Sequence, residues 1–294
     1  MRRMRIFRVV IICSALFLTL YALTNCCKDC NNETESGIRI DWSQVSSDAP
    51  IPNNVKLLFF SQDDEFIKLI TSPATLYQGE LPQTTRFLLA LGNKTSSSEF
   101  RNLEDFSESE AWLPALFTIN DTTIISESGW IYRGFLKIEN PTDVQLREFT
   151  VMMEQCNRII RFILNIKGTG EIVEIVGEIT GLSRGVNFAT SKNLSQTGVS
   201  QLEFMKLGDN FVSEINCFGV SPLNQENKLI LIFRFSNGKT RKTIVDVTNQ
   251  LLKANQNKPI PLQIPISFDF STQASVDGSI APWEEGNEIK IVVN

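Results

Sequence analysis

Apolar and polar side chains alternate with a period of two along much of this chain, which is the signature of half-buried strands. The clearest run is KLILIFRFSNGKTRKTIVDVT (228–248), where Leu229, Leu231, Phe233 and Phe235 share one face. Asn237-Gly238 between its two halves predicts a two-residue type I′ hairpin, because both central positions of that turn need φ > 0. GIRIDW (37–42), NVKLLFF (54–60), FIKLIT (66–71) and GWIYRGFLKI (129–138) read as further strands, rich in β-branched and aromatic residues. RFLLAL (86–91) is apolar on both faces, as a central strand would be. EIVEIVGEIT (171–180) carries Ile172, Ile175, Val176 and Ile179 at helix-compatible spacing, but its β-branched content favours a strand. Residues 96–111 show no clean period and predict a short helix or an irregular crossing. NQLLKANQ (249–256) predicts a helical turn or two, and NEIKIVV (287–293) a last strand with Ile289, Ile291 and Val293 on one face.

Many short strands, Asn/Gly/Pro turns and little helical period predict an all-β sandwich class. The length suits two domains in tandem. The polar, proline-bearing stretch ENPTDVQ (139–145) predicts the boundary, giving domains over 37–143 and 144–294.

The N-terminus changes the picture. Arg2, Arg3, Arg5 and Arg8 precede fifteen largely apolar residues, Val9 to Leu23. A spanning helix needs about 20 such residues, so the run fits a secretory signal over 1–25 better than a transmembrane segment. Leu23-Thr24-Asn25-Cys26 looks like a lipobox, in which Cys26 would be acylated; Cys27 is the second choice, and Asn25 is atypical before the cysteine. Stable lipid anchoring takes two acyl chains or more, each buried methylene contributing about 0.8 kcal/mol. Residues 26–36 then form a polar tether. A zinc site from Cys26, Cys27 and Cys30 has poor spacing and no histidine to help it. A signal anchor of a glycosylated protein is the other alternative, since Asn32, Asn93, Asn120 and Asn193 open N-x-S/T sequons.

Charge and composition narrow the chemistry. The chain carries a net charge of −5; without residues 1–25 it has 24 basic and 33 acidic residues, a net −9. That balance argues against nucleic acid as a partner. With no histidine, neither a Ser-His-Asp triad nor a His-ligated metal can form. Asp63, Asp64 and Glu65 are adjacent and read as a charged turn rather than a calcium loop. GTGE (168–171) reads as a turn, not a phosphate loop. No catalytic residue, metal site or cofactor is assigned, and the expectation is a protein that is not an enzyme. Cys156 and Cys217 could be bridged in an exported protein or remain buried thiols.

The order of lipid cysteine, polar tether, IRIDWSQ, NVKLLFF and LPQTTRFLLALGN, followed by TGLSRGVNFAT (180–190), VDVTNQL (245–251) and a terminal Trp283-Glu284 strand, resembles the fimbrillin-like lipoproteins of Bacteroidales. These are minor anchor and accessory subunits of type V pili. The resemblance implies two transthyretin-like sandwiches and anchoring in the outer membrane, surface-exposed, through lipid on Cys26. It also implies pilin subunits as partners by strand exchange, for which Ile289, Ile291 and Val293 would be the donor residues. The other reading of that segment is an ordinary last strand. Lys28 followed by acids is similar to a surface-export signal, and Asp121-Thr122-Thr123 to an O-glycosylation acceptor at Thr122. Two roles are in play: a fimbrial anchor, tip or accessory subunit in adhesion, and a surface glycan-binding lipoprotein. The second would use exposed rings of Trp42, Trp112, Trp130 or Trp283 against a host or bacterial sugar.

Overall fold

The computed structural model describes residues 36–82, 84–94, 97–138, 148–168, 171–223, 226–254, 260–270, 279–280 and 289–292. The expected signal peptide with Cys26, nearly all of the expected tether, the expected boundary at ENPTDVQ, Trp283 and Val293 lie outside the described residues.

The chain is an all-β sandwich protein. Its first sheet contains β1 (Ser36–Asp41), β2 (Asn54–Phe60), β3 (Phe66–Pro73), β4 (Leu76–Gly79), β5 (Phe87–Lys94), β10 (Trp130–Lys137) and β11 (Glu148–Gln155). The order is β3-β2-β5-β10-β11-β1-β4. β11 pairs antiparallel with β10 from Met153 to Gln155, and in parallel with β1 from Glu148 to Met152. The sheet folds over at this shared strand. Phe59 of β2 and Tyr77 of β4, from opposite ends of the strand order, come within 6.4 Å of each other, centroid to centroid. Leu57, Phe59, Leu88, Ala90 and Tyr132 meet Ile38, Ile40, Val151 and Met153 in the core between the two wings. The alternate residues Leu58, Phe60, Leu89, Leu91 and Ile131 are buried on the other face, in a second and larger core. β5 is thus covered on both faces, as its unbroken apolar run predicts.

The acidic turn is a hairpin turn. Ser61 accepts the Asp63 and Glu65 amide N–H groups on its hydroxyl at 3.2 Å, and Asp64 takes φ 60°.

The larger core lies between two six-stranded sheets. One is built on β12 (Arg158–Lys167), β17 (Asn210–Cys217) and β20 (Leu262–Asp269), edged by β16 (Met205–Leu207) on one side and by β22 (Ile289–Val292) and β21 (Ser279–Ile280) on the other. The other runs β19 (Thr240–Asp246), β18 (Lys228–Phe235), β13 (Ile172–Ser183), β15 (Thr197–Glu203), β9 (Thr122–Ile125), β8 (Ala115–Ile119). Phe162, Leu164, Ile215, Ile264 and Ile266 of the first meet Ile175, Ile179, Leu229, Leu231 and Phe233 of the second. Residues 172–183 form a single strand, so the β-branched content outweighs the helix-like spacing. Helix α1 (Thr248–Ala254) follows β19 and buries Leu251 in the core.

Two details depart from the sequence reading. The hairpin at 236–239 forms, but only Gly238 has positive φ, 78°, while Gly238 N–H donates to the Phe235 carbonyl at 2.9 Å. This is a type I turn closed by a glycine bulge, a three-residue loop rather than the two-residue I′ turn. A true I′ geometry occurs instead at Asn120-Asp121, with φ 47° and 63°, between β8 and β9. Residues 97–112 hold no helix; they give β6 (Glu99–Arg101) and β7 (Glu110–Trp112) around a polar turn.

Between β5 and β10 the chain makes an excursion onto the second half. β7 pairs with β14 (Gly185–Asn187), and β9 with β15 through Ile124 and Val199. Strands from before residue 143 thus enter the second half's sheets, while β11, which follows the expected boundary, belongs to the first.

Candidate functional surfaces

The segment TGLSRGVNFAT makes the seam between the halves. Arg184 donates from Nε and Nη2 to the Leu113 carbonyl at 3.1 and 3.0 Å, and Leu113 N–H returns to the Arg184 carbonyl at 2.6 Å. The Arg184 and Arg101 guanidinium groups lie 4.3 and 4.8 Å from the Trp112 ring centroid. Arg133 of β10 reaches across to donate to the Phe188 carbonyl and to the Glu154 carboxylate. Phe188 is fully buried, edge-on to Phe100 at 5.5 Å. This segment carries no reaction chemistry: it locks one half onto the other.

A buried polar node completes the seam. Asn157, at the corner between β11 and β12, accepts the Ile131 N–H on Oδ1 at 3.0 Å and donates from Nδ2 to Asn216 Oδ1. Ser128 donates to the same oxygen at 3.3 Å. Arg158 and Cys217 lie beside this node, opposite each other across β12 and β17, and both are buried. Burial pulls the Arg158 guanidinium down to about 10 and pushes the Cys217 thiol up to about 12. A thiol held so far above neutrality is a poor nucleophile. Cys156 and Cys217 are both buried thiols here, so the bridge that the sequence leaves open is not formed in this structure.

Trp42 packs edge-on against Tyr132 at 5.2 Å and donates its Nε1–H to the Ala74 carbonyl at 2.7 Å. Trp130 packs against the same core. With Trp112 under two guanidinium groups, these three rings are engaged in packing or seam contacts rather than presented as open platforms for a sugar.

The Asp105 carboxylate is similarly committed to structure. A depression lined by Phe100, Asn102, Leu103, Glu104, Asp105 and Glu108 contains three carboxylates. The Asp105 carboxylate accepts the Ser107 hydroxyl at 2.8 Å and the Ser107 N–H at 2.9 Å, which holds it below the usual carboxylate range. Among the described residues, no group of three or more His, Cys, Asp or Glu side chains is disposed to hold a metal ion.

The surfaces that remain are strand edges. Outer strands β3, β16 and β19 carry charge, at Lys68, Lys206 and Arg241, Lys242 and Asp246, which guards an edge against unwanted pairing. β8 carries none, and all five of its residues are exposed. Thr122, the expected acceptor, opens β9 immediately after the Asn120-Asp121 turn and is exposed. The C-terminal segment, read as a donor strand or a last strand, pairs at home: Ile289 to Val292 lie parallel to Ile266 to Asp269 of β20.

No family model matches the chain, and no curated protein sequence matches it. Solved structures do share its fold. A candidate adhesin from Bacteroides ovatus is 16% identical, with 89% of this chain and 93% of that one covered and a TM-score of 0.59. A candidate cell adhesion protein from Bacteroides eggerthii is 11% identical over 81% and 86% of the chains, with a TM-score of 0.58. A candidate polysaccharide-binding protein from Bacteroides thetaiotaomicron is 12% identical over 81% and 92%, with a TM-score of 0.56. At these identities the likeness is one of fold.

Proposed function

We propose that this chain is a lipid-anchored cell-surface protein that serves as an anchor, tip or accessory subunit of fimbriae and acts in adhesion. The observation that carries the reading is the fold, shared over most of the chain with candidate adhesins. The N-terminal pattern of basic residues, short apolar run and Leu23-Thr24-Asn25-Cys26 supports the anchor. The seam suits a subunit under load, since the halves are held by backbone pairing and by the Arg184 guanidinium on the Leu113 carbonyl.

Isolation of sheared cell-surface material tests the role. The protein is expected to co-purify with fibre-forming subunits in far smaller amount than they are present; recovery without any such subunit would count against a fimbrial role.

Anchoring has its own test. Cys26→Ser is expected to release the protein from the membrane fraction or leave its precursor unprocessed. A mutant that matures and partitions like the native protein would remove the lipobox from the account.

Thr122 is exposed beside a tight turn, which supports reading it as a glycosyl acceptor. Intact mass of the protein from its own host is expected to exceed the polypeptide mass by whole sugar residues, and Thr122→Ala to abolish the excess. An unmodified native mass would exclude the acceptor.

A further inference from the structure

Arg158 stands on the inward face of β12, in line with Ile160, Phe162 and Leu164, and is only 2% exposed. Three residues on, Arg161 points outward and meets the Glu214 carboxylate at 2.6 Å. Arg158 takes part in no ion pair among the described residues, and its Nη2 is buried without a hydrogen-bond acceptor. Its neighbour across the strand pair, Cys217, supplies no counter-charge, because a thiol raised to about 12 is protonated at neutral pH. A guanidinium lowered to about 10 still carries its charge there. Glu127, whose charge also raises that thiol, forms no ion pair with Arg158 among the described residues. The node therefore holds a positive charge away from water, which is costly until something compensates it.

We propose that this node binds a small monovalent anion, chloride, against Arg158 Nη2 and beside the Cys217 thiol. The donors on the page select a halide over a larger oxyanion. A carboxylate or phosphate brings several acceptor oxygens, each of which needs its own donor once out of water. The other side-chain donors of the node are already committed. Asn157 Nδ2 and the Ser128 hydroxyl both serve Asn216 Oδ1, and Gln155 Nε2 serves the Asn157 carbonyl at 3.1 Å. A halide is a single spherical acceptor, satisfied by the Arg158 N–H with the protonated Cys217 S–H as a weak second donor. The rival occupant is a water, which would suit Gln155 Oε1, likewise buried without a partner. A water leaves the charge uncompensated; a halide cancels it. Bound there, the anion makes the closed seam sensitive to the salt that bathes it, because a ligand of the folded state alone stabilises that state.

The proposal stands on this node alone and is independent of the fimbrial reading. It is tested on the full-length chain in mild detergent, with sodium chloride replacing sodium gluconate at constant ionic strength, since gluconate is too large to enter. The melting temperature is expected to rise by at least about 3 °C between about 5 and about 500 mM chloride. Bromide is expected to do the same. Arg158→Met is expected to abolish the response, whereas Arg161→Met, the same charge change on the outer face of β12, is expected to keep it. Should Arg158→Met not fold, crystals of the native chain grown in sodium bromide decide the matter. Anomalous scattering is expected to show bromide within hydrogen-bond distance of Arg158 Nη2. A melting temperature indifferent to halide, a response that survives Arg158→Met or is lost equally in Arg161→Met, or bromide found only at the protein surface would each overturn the proposal.

Discussion

Gly185→Val is expected to yield little or no folded protein. Gly185 pairs with Trp112 where β14 meets β7, and a Cβ built there would stand 2.3 Å from the Ala111 carbonyl oxygen and 2.7 Å from Leu194 Cδ1. The leucine end could swing aside; the carbonyl cannot. It belongs to β7, held by Leu113 N–H to the Arg184 carbonyl at 2.6 Å, while the glycine is held from its other side by Leu194 N–H to the Gly185 carbonyl at 2.9 Å. Either β7 lifts off β14 or the loop holding Leu194 moves. Overpacking usually costs about 1–3 kcal/mol, and more when the obstacle is backbone. A loss above about 3 kcal/mol removes a large share of the ~5–15 kcal/mol that stabilises a domain. Gly185→Ala should fall between the two. Soluble yield and urea midpoint measure the effect, and a valine variant melting within about 2 °C of the native protein would show that the seam does not need this close approach.

Asn157→Ala is the other large effect expected. Asn157 is wholly buried and holds two groups at once, the Ile131 N–H and the Asn216 side chain. Alanine leaves both without that partner in a place water does not reach. Asn216 Oδ1 still accepts from the Ser128 hydroxyl, so the Ile131 N–H is the group left unsatisfied, at a cost of about 1–3 kcal/mol. Asn157→Asp would test the donor alone, since its carboxylate could still accept from Ile131 but not donate to Asn216 when ionised. Equilibrium urea unfolding reads the difference, and an alanine variant less than about 1 kcal/mol destabilised would mean that the node relaxes or admits water.

Much of this fold was legible because its long strands bury alternate residues against one of two cores. β18 is plain in the alternation of Leu229, Leu231 and Phe233, and β5 in the unbroken Leu88 to Leu91. The excursion was not legible. β6 and β7 have three residues each, too short for any period, and they are flanked by Glu and Ser that read as loop. β6 pairs only with β7, and the other partner of β7, β14, lies some 70 to 80 residues downstream, so nothing local announces that pairing. The turn at Asn237-Gly238 was misread in type because the dipeptide favours I′ only where both residues reach positive φ, and here Asn237 does not. One signal of the polar node was present. Ile160, Phe162 and Leu164 set the inward parity of β12, and the same parity places Arg158 inside. A basic residue on the core face of a strand marks a buried polar site even when its neighbours are unknown.

The central claim is that this chain works as part of a surface fibre. Immunogold electron microscopy of intact cells, with antibody against the folded protein, tests it most directly. Gold is expected at fibre ends, or at the points where fibres meet the outer membrane, and to vanish when the gene is deleted. Gold spread evenly over fibre-free envelope, unchanged in cells that make no fibres, would contradict it.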